Sequence, residues 1–208
     1  MLCMAFAQDG EGNEQFGGTM LAGKKGGNMT KDRLVFTGWL YIFGAASLLP
    51  ILIMRIILLR ADFPWSMCAL VITFFSGGLS MYLWLTLRQM LAECYRFTSA
   101  DNAILGILVL VVLGCIYAVA EVFIPGFSVG HKEPISILLT FVMLISGGVL
   151  NIMLGWEIRK LGDVLPLFRT YGTLRLVGGV FLCSLLLAPL AVVILIVAEV
   201  YAALIFWE

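Results

Sequence analysis

The run Arg175–Trp207, "RLVGGVFLCSLLLAPLAVVILIVAEVYAALIFW", decides how many times this chain crosses a membrane. At about 1.5 Å per residue it makes roughly 50 Å of helix, long for one straight crossing and short for two. Pro189 lies inside it with nothing loop-like on either side, so the run predicts one tilted or protruding helix, kinked at the proline. Four further runs each suffice to cross a hydrocarbon core of about 30 Å: residues 34–59, 66–87, 103–124 and 135–156. Five transmembrane spans are therefore expected.

Composition agrees with a lipid solvent. Of 208 residues, 62% are hydrophobic and 12% charged, with a mean hydropathy of +1.05. A water-soluble domain carries about twice that charge, so too little polar surface remains to cover a soluble globule. Thirteen basic residues balance thirteen acidic ones, which gives no electrostatic case for nucleic acid. The fold class expected is all-α: a polytopic integral membrane protein with a transmembrane domain over 34–208. Residues 1–33 are glycine-rich and without hydrophobic period, and predict a disordered cytoplasmic arm. Ala5–Ala7 forms an A-x-A pattern like a signal-peptidase site, but the apolar stretch before it is short and lacks a basic segment.

Orientation follows from the basic residues. With five spans, Lys24, Lys25, Lys31, Arg33, Arg88, Arg96, Arg159, Lys160, Arg169 and Arg175 share one side, ten of the thirteen. Arg55, Arg60 and Lys132 fall on or toward the other side. The positive-inside rule then places the N-terminus in the cytoplasm of a bacterial-type inner membrane and the C-terminus outside. Trp39, Trp65, Trp84, Trp156 and Trp207 fall where interfacial aromatics are expected. Arg88, Arg96, Arg159, Lys160, Arg169 and Arg175 are read as cytoplasmic anchors to lipid head groups.

An internal repeat is visible. Ser76-Gly77-Gly78 aligns with Ser146-Gly147-Gly148, Arg88 with Arg159, and Phe97 with Phe168. "VAEVF" (119–123) aligns with "VAEVY" (197–201). This suggests a tandem repeat of two helical hairpins in the same orientation. It would bring Glu121 and Glu199 together at the outer mouth of the bundle, as a candidate proton, cation or partner site. The alternative is that both acids lie in the head-group layer, where their cost is small. Gly77, Gly78, Gly106, Gly114, Gly147, Gly148, Gly178 and Gly179 offer close helix packing.

Chemistry beyond that is thin. The five cysteines lack the spacing of a disulfide framework or zinc site, and His131 stands alone in a short loop. No hydrolase, zinc-protease or nucleotide-binding motif occurs. No catalytic residue, metal or cofactor is expected. "LTLRQMLAECYRFTSADNAILGILVLVVLG" (85–114) resembles a small uncharacterised family of bacterial four-span membrane proteins. The matching positions are Leu87, Arg88, Phe97, Thr98 and Asn102. That resemblance implies an inner-membrane helical bundle and carries no settled activity. The functional expectation is a non-catalytic accessory or assembly subunit, contacting lipid and other membrane proteins or itself. The alternatives are a small proton- or cation-coupled transporter or channel using Glu121 and Glu199, and a membrane sensor or immunity protein.

Overall fold

The computed structural model of the chain describes residues 31–58, 63–123 and 134–208. The arm before Lys31, Arg60, His131 and Lys132 lie outside the described residues, as do the side chains of Arg55, Trp65 and Glu121. Among the described residues the chain is all-helical. Its elements are α1 (Lys31–Leu58), α2 (Phe63–Cys94), α3 (Asp101–Phe123), α4 (Pro134–Arg159), a 3₁₀ turn (Lys160–Asp163), α5 (Pro166–Cys183) and α6 (Ala188–Trp207). Four stretches are long and apolar enough to cross a membrane: Met67–Cys94, Asp101–Ala120, Leu138–Asp163 and Ala188–Trp207.

Helices α1 to α4 fall close to the first four expected spans. The fifth expectation fails. Residues 175–207 are not one helix but parts of two antiparallel ones, α5 and α6, joined by a tight turn at Ser184–Leu187. Pro189 begins α6 instead of kinking a longer helix. At the start of a helix the missing N–H costs nothing, and Ser184 Oγ accepts the Leu187 N–H at 3.3 Å. The sequence reading missed α5 because it counted 166–174, with Arg169, Thr170 and Thr173, as loop. Packing against α4 makes that segment a helix.

The α4–α5 pairing runs along a glycine seam. A Cβ at Gly155 would sit 2.5 Å from Gly172 O, and one at Gly179 would sit 2.6 Å from Gly148 O. The pairs lie two turns apart on each antiparallel helix, so backbones touch where lipid supplies no hydrophobic drive. Gly148 and Gly179 were expected to pack; Gly155 and Gly172 were not singled out. Gly77 meets Cys115, Gly106 meets Leu150 and Gly178 meets Leu195. Gly147 has only Leu110 near it, and Gly78 and Gly114 face open space, so packing does not explain those two.

Reversal at Ser184–Leu187 also brings the end of α6 back beside the start of α1. Trp39 and Trp207 have ring centroids 5.2 Å apart, Tyr41 stacks on Phe206, and Trp207 Nε1 donates to Val35 O at 3.4 Å. The start of α1 and the end of α6 therefore share one end of the bundle, whereas a single helix over 175–207 would set them at opposite ends. At the same end Tyr95 packs edge-on against Phe168. The buried core sits in this half, with Leu87, Leu91, Ile104, Leu154, Ile158, Phe168, Tyr171 and Ala202 all sealed from solvent.

Candidate functional site

Arg175 is the residue that the fold treats most differently from expectation. Read as a head-group anchor, it is 3% exposed. It lies nine residues into α5, about 14 Å from the helix start, and its charged end points into the bundle. Glu199 lies eight residues before Trp207, about 12 Å from the same end, so the hairpin sets the two at one level.

The guanidinium is held on every side. Its Nη2 donates to Glu199 Oε1 at 2.5 Å, its Nη1 to Asn151 Oδ1 at 3.1 Å, and its Nε to the Tyr171 hydroxyl at 3.1 Å. The rings of Trp84 and Tyr171 lie 4.8 and 5.2 Å from its carbon, within cation–π range. Asn151 in turn donates to Gly147 O at 2.8 Å, which fixes its oxygen toward the arginine. Four helices (α2, α4, α5 and α6) supply this cage. A lone charge there would cost several kcal/mol; a paired and hydrogen-bonded one offsets most of that. Trp84 is thus a buried cage wall and not an interfacial anchor, unlike Trp39 and Trp156, which are exposed.

Glu199 is satisfied on one side only. Its Oε2 is buried and has no hydrogen-bond partner among the described residues. The residue also forms part of the wall of a cavity of about 90 Å³ between α1, α2 and α6. Ser47, Ser76, Ser80 and Trp84 line that cavity with it. Tyr41, also on the wall, spends its hydroxyl on Leu83 O at 3.0 Å. The volume has room for several waters. Chemically, one carboxylate oxygen neutralises Arg175 and the other remains an acceptor for a donor group.

Glu121 does not join Glu199. Its backbone is in the last turn of α3, twenty residues or about 30 Å from the helix start, against about 12 Å for Glu199 measured from the same end of the bundle. The two matching pentapeptides lie on antiparallel helices, and the counterpart of α3 in a hairpin repeat would be α5, not α6. The repeat thus does not extend to the acids. The remaining anchors stay at the polar end. Arg88 pairs with Asp101 at 2.9 Å and Lys160 with Glu157 at 2.7 Å. Arg159, Lys160, Asp163 and Arg169 surround a groove of about 390 Å³ beside Trp156. Arg96 is exposed and takes a left-handed φ of 49° at the end of α2, where Phe97 N–H bonds back to Leu91 O.

A usable signal for the buried pair was present. Arg175 and Glu199 are the only charged residues of the 175–207 run, and they are consistent with a hairpin centred near 187. Comparison with known proteins gives no family match, no matching curated relative and no matching solved structure.

Proposed function

We propose that this chain is a small proton- or cation-coupled transporter or channel of a bacterial-type inner membrane, with Glu199 as its interior site. The observation carrying this reading is the unpartnered Oε2 of a carboxylate whose other oxygen is committed to Arg175. An accessory subunit would place its acids at the head groups or on a partner surface, not on the wall of an internal cavity with room for water. The Arg175–Glu199 pair is neutral as a unit, so it tolerates a buried position and still attracts positive charge from the carboxylate side. A monovalent cation about 3 Å from Oε2 and about 6 Å from the guanidinium gains roughly twice the Coulomb energy it loses. The serines of the cavity supply hydroxyl oxygens along the route. Arg33, Arg88, Arg96, Arg159, Lys160 and Arg169 cluster at the end holding both helix termini, which supports a cytoplasmic placement of that end.

Reconstitution into liposomes tests the proposal. Imposed proton, Na⁺ and K⁺ gradients should dissipate faster than in empty vesicles for one of the three, and Glu199→Gln should slow that flux at least tenfold. Ser80→Ala, which leaves the ion pair intact, should change rate or selectivity. Flux equal to empty vesicles for all three, with a stoichiometric partner on gentle extraction from the host, would overturn it in favour of a subunit role.

A further inference from the structure

The turn between α5 and α6 is unlike a turn built for water. Residues 176–198 carry no charged side chain, and the turn itself reads Ser184-Leu185-Leu186-Leu187. Leu186 at its tip is 92% exposed. Leu185 holds a left-handed φ of 53°, a conformation that water-facing turns give to glycine or asparagine.

The backbone of this turn satisfies itself. Ser184 N–H donates to Val180 O at 3.1 Å and Leu185 N–H to Leu182 O at 3.2 Å. Leu186 N–H donates to Ser184 O, Leu187 N–H to Ser184 Oγ at 3.3 Å, and Ala188 N–H to Leu185 O at 3.3 Å. Pro189 follows and has no N–H. From Ser184 to Pro189 every amide donor finds an acceptor within the chain, so the turn presents no free N–H to hydrocarbon, the donor half of the condition for placing backbone in lipid.

Length points the same way. α5 and α6 are about 26 and 28 Å long, whereas α3 and α4 are about 33 and 37 Å. At the other end of the bundle the helices are level, since Phe168 of α5 meets Tyr95 just past α2, and Trp207 of α6 meets the start of α1. Cys183 at the end of α5 lies level with Ile145 of α4, its Sγ 3.7 Å from Ile145 O, so the turn stops roughly 10–15 Å short of the far end of α4 at Pro134. With Trp207 at the near interface, a 28 Å reach ends inside a hydrocarbon core of about 30 Å.

We infer that the α5–α6 hairpin is re-entrant: it enters and leaves by the same face, with its Leu185–Leu187 tip seated among the lipid acyl chains of the far leaflet. This assignment is independent of any transport through Glu199. It replaces a water-exposed loop by a lipid-contacting tip and keeps the polar pair Arg175–Glu199 at mid-depth.

The test uses the purified full chain in phosphatidylcholine liposomes holding no other protein. A lipid carrying a diazirine on the upper part of its acyl chain, close to the ester, photolysed in these vesicles, should leave adducts mapped by mass spectrometry to Leu185–Leu190. Separately, Leu186→Cys in vesicles opened to both sides should add no label from a polyethylene-glycol maleimide beyond wild type, and one full label after SDS. Asp163→Cys, at the polar end, should label fully without SDS. An extra label at position 186 in opened vesicles, or acyl adducts absent from Leu185–Leu190, would overturn the inference.

Discussion

Removing the Glu199 carboxylate is the most direct test of how this bundle holds a charge. Glu199→Ala leaves the Arg175 guanidinium buried with only the Tyr171 hydroxyl, the Asn151 oxygen and the Trp84 and Tyr171 rings. Breaking one half of a buried ion pair costs about 3–5 kcal/mol, because the remaining charge stays desolvated. The retained cation–π contacts are worth about 1–2 kcal/mol when desolvated and hold the loss near the lower end, at about 3 kcal/mol. For a chain of this size each kcal/mol moves the melting midpoint by about 2–4 °C, so the variant should melt about 6–12 °C lower. Intrinsic tryptophan fluorescence in a mild detergent follows the transition, with Trp84 a reporter inside the cage. The double variant Arg175→Met with Glu199→Leu removes both charges and keeps volume, and should return to within about 1 kcal/mol of wild type. A midpoint for Glu199→Ala within about 2 °C of wild type refutes the reasoning, since the pair would then be hydrated. So does a double variant melting as low as the single one, since the loss would then come from packing.

Gly155→Ala drives a methyl into Gly172 O and Leu176 N, so it should cost about 1–3 kcal/mol by overpacking. Gly114→Ala, facing open space, should be neutral or stabilise by up to about 1 kcal/mol, and the same thermal melts compare them. Tyr41→Phe removes the second donor to Leu83 O and should cost about 1 kcal/mol or less, since that carbonyl keeps its N–H partner within α2 and no void opens. Epitope tags at residues 1 and 208 should be protected together or exposed together in sealed vesicles; one protected and one exposed would contradict the fold-back of α6.

Much of the fold was legible in the sequence, and the part that was not has a single origin. Runs of apolar residues mark α1 to α4 because crossing lipid is a local requirement: each helix must satisfy its own backbone and present its own apolar surface. Hydropathy lowers the standing of any segment holding a charge, so 166–174 was counted as loop and Arg175 as its anchor. In the same way the two VAEV pentapeptides invited a repeat, although direction along the membrane normal cannot be read from five residues. The glycine seam was half visible: Gly148 and Gly179 stood out as members of doublets, whereas Gly155 and Gly172 are isolated and gain meaning only when antiparallel helices align them.

By itself, then, the sequence determined that the chain is helical, that several of its helices are long and apolar enough to cross a membrane, and that its basic residues gather toward one end. Those properties are sums over neighbouring residues. Only the tertiary structure decided that α6 turns back, that the ends of α1 and α6 meet, and that Arg175 and Glu199 cancel each other inside the bundle. A buried charge is tolerable once a partner 24 residues away reaches it. That compensation is a property of two helices packed together and of neither alone.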